Sequence, residues 1–322
     1  MFNWVVSSNA RFPMLVEVTL LCCFCITYLA HADIINMEGC GEYAENIKAK
    51  PGKIFSRRLQ PWIVHIYAIF DPRQQNEEGT YGCSGSIISP RFVLTSAHCL
   101  TNGTACCGYP TRACTPSLVQ VYYNFTVAQT GPYQSAKSIF YHPYLDSEHW
   151  VNDVALIMLE EPLHLDEYVR PVCLPNQQKQ VIREGALLVS PEWGIMEDEQ
   201  VYKFLYHSTA NVVSFEQCSE SIELPKVRDM KWDRFLFCTQ SNGKNPMEGL
   251  AGGPLTRQSG GKRAVQVGIA SYTFCRKDYK SSVQTRVGPY IQWIKEVLSH
   301  CARWERRDHA GENPNSNDNF DY

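Results

Sequence analysis

Three stretches of this 322-residue sequence hold residue types that can do chemistry. Leu94-Thr95-Ser96-Ala97-His98-Cys99 sets an imidazole beside a cysteine. Asn152-Asp153-Val154-Ala155-Leu156-Ile157 sets a carboxylate at the start of an apolar run. Glu248-Gly249-Leu250-Ala251-Gly252-Gly253-Pro254-Leu255 is glycine-rich, with no hydroxyl, thiol or amine between Gly249 and Gly253. An imidazole oriented by a carboxylate is a general base, and acyl transfer needs an oxygen or sulfur for it to deprotonate. The third stretch offers neither. Taken singly, packing and hydrogen bonding account for His98 and Asp153 without catalysis.

Those stretches need a scaffold, and the composition supplies one. The chain is 44% hydrophobic with a formal net charge of −3, enough apolar material for one large or two modest cores. That balance excludes disorder throughout. With 30 basic against 33 acidic residues there is no excess to neutralise phosphates, so a nucleic-acid partner is not expected.

Fourteen cysteines point to an oxidising compartment if a secretion signal accompanies them. Residues 1–32 fit one: MLVEVTLLCCFCITYLA from Met14 to Ala30, then Ala30-His31-Ala32 as a small-x-small cleavage site. The other reading is a membrane anchor, against which stand the short apolar stretch, Glu17 and only Arg11 before it. A secreted, extracellular protein without membrane contact is therefore expected. Loss of Cys22, Cys23 and Cys25 from the 14 leaves eleven, an odd number, so at least one thiol is free or bridged to another molecule.

Residues 33–53 are polar and read as a pro-segment-like region. Trp62 to Phe70 alternates as a strand, with Val64, Ile66, Ala68 and Phe70 on one face. Ser84 to Leu94 reads as two strands hinged at Ser89-Pro90-Arg91. Further short strands are expected over Val119–Tyr123, Val154–Leu159, Leu187–Ser190 and Val265–Tyr272. A helix begins at Pro289, with an apolar stripe at 290, 293, 294 and 297. Residues 301–322, rich in Asn, Asp and Gly from Glu305 onward, read as a polar disordered tail. Asn102-Gly103-Thr104 and Asn124-Phe125-Thr126 are glycosylation sequons. The pattern is all-β with a terminal helix.

The three stretches, in this order and with Cys83 sixteen residues before Cys99, resemble the trypsin/chymotrypsin family of serine proteases over residues 54–300. The resemblance implies two packed antiparallel six-stranded β-barrels, split near 165–185, and a C-terminal α-helix. It puts the triad imidazole at His98 and its orienting carboxylate at Asp153. It puts the nucleophile position at Ala251, where a methyl group has neither lone pair nor proton. Gly249 falls at an oxyanion amide. Leu250 falls where the family has an aspartate that pairs with a new Ile-Val-Gly-Gly amino terminus after cleavage. Here the sequence is Lys53-Ile54-Phe55-Ser56-Arg57, and Pro61 comes only seven positions after Ile54. Both halves of the activation pair differ, and an ammonium buried against Leu250 would be uncompensated. Cleavage after Lys53 or Arg58 is not expected to trigger the usual ordering. In the specificity pocket, Asn245 falls at the floor, and Thr273 and Ser282 fall at wall positions that are commonly glycine. Ser271-Tyr272-Thr273 resembles the substrate-edge strand.

The resemblance further implies the disulfides Cys83–Cys99, Cys218–Cys238 and Cys40–Cys173. Met247 stands at one end of a bridge usual in the family, leaving Cys275 without its mate, and Leu188 stands where relatives often have cysteine. Cys106, Cys107, Cys114, Cys275 and Cys301 stay unassigned. A zinc site on the first three has poor ligand spacing, and bridges fit a secreted chain better, so no metal and no cofactor are expected.

Three functions follow as expectations. One is a catalytically inactive protease homologue that binds a protein such as a protease, an inhibitor or a receptor. It would act as regulator, cofactor or decoy in a proteolytic pathway, or as a venom or salivary effector. The second is an active endopeptidase, which would need a substitute nucleophile. The third is an adhesive module assembled through an intermolecular disulfide.

Overall fold

Strand β1 (Ile63–Ile69) alternates as its sequence requires, with Val64, Ile66 and Ala68 fully buried while Tyr67 and Ile69 are half-exposed. In the computed structural model, described here for residues 35–43, 60–70, 80–101, 115–125, 130–146, 151–176, 182–195, 201–216, 232–241, 251–259, 263–273 and 281–309, it opens the first of two barrels. The expected signal peptide, residues 1–32, lies outside the described residues.

The first barrel also contains β2 (Thr80–Ser89), β3 (Phe92–Thr95), β4 (Leu118–Tyr122), β5 (Tyr133–Tyr141) and β6 (Ala155–Leu159). It closes in the order β1-β2-β3-β6-β5-β4 with antiparallel pairing throughout. Strands β3 and β6, Phe-Val-Leu-Thr and Ala-Leu-Ile-Met-Leu, are buried at every position. They pair with each other, Thr95 opposite Ala155. This register brings the segment after β3, which carries His98, next to the segment before β6, which carries Asp153.

The second barrel is built from β7 (Leu187–Ile195), β8 (Val201–Val213), β9 (Leu236–Ser241), β10 (Pro254–Ser259), β11 (Arg263–Thr273) and β12 (Ser281–Arg286), closed in the order β10-β11-β12-β9-β8-β7. Its core packs Leu188, Val212, Phe237, Leu255, Val267 and Ala270. The expected all-β fold of two six-stranded antiparallel barrels with a terminal helix is the observed one.

Several strands extend beyond their sequence reading, β7 running on to Ile195 rather than ending at Ser190. A 3-10 turn (Gly288–Tyr290) with Pro289 at its start leads into helix α1 (Ile291–His309). Tyr290, Trp293, Ile294 and Val297 are all buried, as the apolar stripe demands. The helix does not stop before a tail at 301. Cys301 is buried, Lys137 lies 5.0 Å over the Trp304 ring, and Arg91 pairs with Glu305. These contacts continue the helix across the expected boundary and hold it on the first barrel. Among the described residues no helix is long and apolar enough to cross a membrane.

The segment Ile35–Tyr43 is strapped to the body. Cys40 bridges to Cys173 (S–S 1.98 Å), and Asn36 exchanges side-chain bonds with the Leu174 backbone at 2.6 and 3.0 Å. Glu42 faces Arg170 at 3.2 Å, and the Tyr43 ring meets Trp62 edge-on at 5.1 Å.

Candidate functional site

A 3-10 turn (Ala97–Leu100) follows β3 and is pinned by the Cys83–Cys99 disulfide (S–S 2.04 Å), which ties it to β2. His98 therefore projects from a short, covalently braced turn. Asn152, with φ of 56°, turns the chain into Asp153. Its side-chain amide donates to the Tyr144 carbonyl at 2.6 Å, and its oxygen accepts from the Tyr290 hydroxyl at 3.0 Å. Both bonds fix the carboxylate one residue later.

The two side chains meet. His98 Nδ1 and Asp153 Oδ2 are 2.7 Å apart, and the His98 backbone amide donates to Asp153 Oδ1 at 2.9 Å. Asp153 is fully buried and His98 half-buried. A third partner arrives from the second barrel: the Ser271 hydroxyl donates to Asp153 Oδ2. Ser271, which the resemblance puts on the substrate-edge strand beside the specificity pocket, turns its hydroxyl toward the carboxylate, because a buried anion needs donors from every side. No local signal marks this, as 118 residues separate the pair.

Burial alone would favour the neutral imidazole. The Asp153 charge and hydrogen bond outweigh it and raise the His98 pKa above 6.5. Burial likewise opposes the Asp153 carboxylate, but His98, the Ser271 hydroxyl and the His98 amide hold its pKa below 3.8. The stability that His98 contributes is thus fully present below pH 6.5 and lost as pH rises through its raised pKa. That of Asp153 is fully present above pH 3.8 and lost as pH falls through its lowered pKa. Burial pushes His65 and His142 the other way, down to about 4. In an imidazole NMR titration His98 should keep its proton above pH 6.5, while His65 and His142 stay neutral down to about pH 4. Asp153→Asn should drop His98 below 6.5, because burial then acts without the opposing carboxylate charge. A His98 value unmoved by that change would contradict the pairing.

Ala251 sits on the seam between the barrels, its carbonyl accepting from the Ser84 amide of β2 at 2.8 Å. Gly252 follows at φ of 80°, with its amide bonded to the Ala270 carbonyl at 2.7 Å. Its packing against Ser84 and Thr95 places this turn beside the strand that leads into His98. Thr273 and Ser282 stand directly opposite each other on β11 and β12, Ser282 half-buried. Gly249, Leu250 and Asn245 lie outside the described residues, as do Asn102, Cys106, Cys107, Cys114, Cys218, Cys275 and Met247. Cys238 is disulfide-bonded. Cys301 is a buried free thiol pushed up to about 11 by burial, which suits it poorly for an intermolecular bridge. Among the described residues no cluster of His, Cys, Asp and Glu is arranged to hold a metal.

Two closed barrels with a His–Asp–Ser hydrogen-bonded set between them define a chymotrypsin-like protein. The Trypsin family profile matches residues 52–294, and the chain belongs to that family. It is 28% identical over 271 residues to the clotting factor G beta subunit of Tachypleus tridentatus, covering 82% of this chain and 84% of that one. It is 29% identical over 255 residues to phenoloxidase-activating factor 3 of Holotrichia diomphalia, covering 73% of this chain and 68% of that one. Among solved structures, one called "Structure of GrC" superposes with a TM-score of 0.59 at 20% identity, covering 77% of this chain and 98% of the other. HL collagenase gives 0.61 at 20% identity, covering 81% and 98%. These two resemblances concern the fold.

Proposed function

We propose that this chain is a secreted, catalytically inactive member of the trypsin family that acts by binding another protein. What supports the reading is Ala251, which the resemblance puts at the nucleophile position and whose carbonyl bonds Ser84 on the seam next to the strand leading into the His98–Asp153 pair. A methyl group there cannot form an acyl-enzyme. Loss of a triad nucleophile costs about 10⁶ in turnover in a well-studied protease.

The retained imidazole and carboxylate serve the fold by satisfying each other and by bridging the barrels through Ser271. The resemblance puts Asn245, Thr273 and Ser282 at the specificity pocket, and these uncharged residue types disfavour Arg or Lys recognition. Relatives named as a clotting-factor subunit and a phenoloxidase-activating factor favour a partner, regulator or cofactor role alongside proteases. The signal-like amino terminus and the disulfides at Cys40 and Cys83 fit an extracellular setting.

The test compares the purified chain, uncleaved and cleaved after Lys53, with its His98→Ala variant on a broad panel of peptide amides. Background hydrolysis should be the same for both. Turnover that disappears with His98→Ala would overturn the inactive reading.

A further inference from the structure

The outer face of the first barrel carries an aromatic surface that the triad region does not use. Strands β4 and β5 form a hairpin with Tyr122 opposite Tyr133, the two rings 5.3 Å apart. Val119 and Val121 fill the core, while Leu118 is 39% and Tyr133 49% exposed on the opposite face. Gln120 completes that face of β4, and its side-chain oxygen accepts from the Tyr122 hydroxyl at 3.1 Å. The face is uncharged along β4 and apolar for its size.

Asn124 lies at its end. It leaves the strand in the left-handed region, φ 53°, and is half-buried. Its side-chain oxygen is buried with no hydrogen-bond partner among the described residues. Phe125 folds inward and is buried beside the His65 ring at 6.4 Å, so the chain on either side of Asn124 is aromatic. Asn124-Phe125-Thr126 is a sequon. Covalent attachment would hold a sugar against this hairpin at high effective concentration. The C–H face of a pyranose ring packs well on the flat, electron-rich face of tyrosine.

We propose that Asn124 carries an N-linked glycan whose first N-acetylglucosamine packs on the Tyr122–Tyr133 pair and covers the outer face of β4 and β5. The transfer forms a bond from Asn124 Nδ2 to sugar C1 and breaks the C1–oxygen bond to a lipid pyrophosphate donor. The pyrophosphate leaves with the electron pair, and the amide loses one proton. Transfer takes place on the nascent chain, and folding then closes the tyrosine pair beneath the sugar.

The inference rests on the secreted reading, so the test uses the full chain behind an added secretion leader. A failure of the chain's own signal is then distinguishable from a failure at Asn124. Thr104→Ala removes the other sequon. Protein from the medium is treated with an amidase that releases N-glycans and converts the attached asparagine to aspartate. Peptide mapping should show aspartate at 124. Glycan removal should lower Tm by about 2–4 °C, the scale of one aromatic contact in a domain of this size. In Tyr133→Ala the same removal should cost less than about 1 °C, while Tyr133→Phe should behave as the parent does. Unmodified Asn124 in secreted protein would overturn the proposal, as would a Tm loss of equal size in the parent and Tyr133→Ala.

Discussion

Ala251→Ser on its own is expected to give an enzyme with kcat no higher than about 0.1 s⁻¹ on peptide amides, before or after cleavage at Lys53. A median enzyme turns over at about 10 s⁻¹, and loss of one oxyanion donor costs about 10²–10³. The serine supplies the hydroxyl that position 251 lacks, and the structure keeps the base in order, with His98 2.7 Å from Asp153. It does not restore the carboxylate that anchors the oxyanion loop in the family, because position 250 is leucine. Nor does Ile54-Phe55-Ser56 match the amino terminus that would pair with that carboxylate. Adding Leu250→Asp supplies the first missing part, and any gain should appear in that double variant. Turnover of several per second from Ala251→Ser alone would show that the loop is ordered without its anchor.

Gly252→Ala is expected to cost about 4 kcal/mol, combining left-handed strain with a backbone collision. A Cβ at Gly252 would stand 2.1 Å from Thr95 Oγ1 and 2.2 Å from the Ser84 carbonyl oxygen. Neither can retreat. Thr95 donates to that carbonyl at 2.8 Å, and the flanking bonds Ser84 N to Ala251 O and Gly252 N to Ala270 O hold the turn on both sides. Gly185 is the control, since its φ of 75° is similar but nothing lies within 4 Å of its Cβ position. Gly185→Ala should therefore cost only about 1 kcal/mol of left-handed strain. Thermal unfolding should show Tm losses of roughly 8–16 °C against about 2–4 °C. Equal losses would mean that the seam between the barrels is looser than its contacts indicate.

Much of the fold was legible because its carriers are local. The alternation of β1, the hinge at Ser89-Pro90-Arg91 and the stripe from Tyr290 to Val297 each announce an element within a few residues. Strands such as β5 and β12 went unread. Every residue of β5 is at least partly exposed, and β12 buries Ser281, Gln284 and Thr285, so neither offers apolar alternation. Gln284 enters the interior with its side-chain amide donating to Thr239 at 2.9 Å, a partner that only the barrel's pairing supplies. The end of the helix was missed for a different reason. Cys301 continues the stripe four residues after Val297, but the polar stretch rich in Asn, Asp and Gly beyond it reads as a tail, while Arg91 and Lys137 on the first barrel receive that turn. Ser271 could be placed by resemblance along the second barrel, yet its hydroxyl's duty to Asp153 exists only once the two barrels meet.

The most direct test of the inactive reading is stoichiometric labelling with a fluorophosphonate, read by intact mass on the chain cleaved after Lys53. The account predicts no adduct on the natural sequence, because the reagent needs an activated hydroxyl and position 251 has none. One adduct per chain, abolished by His98→Ala, would contradict it.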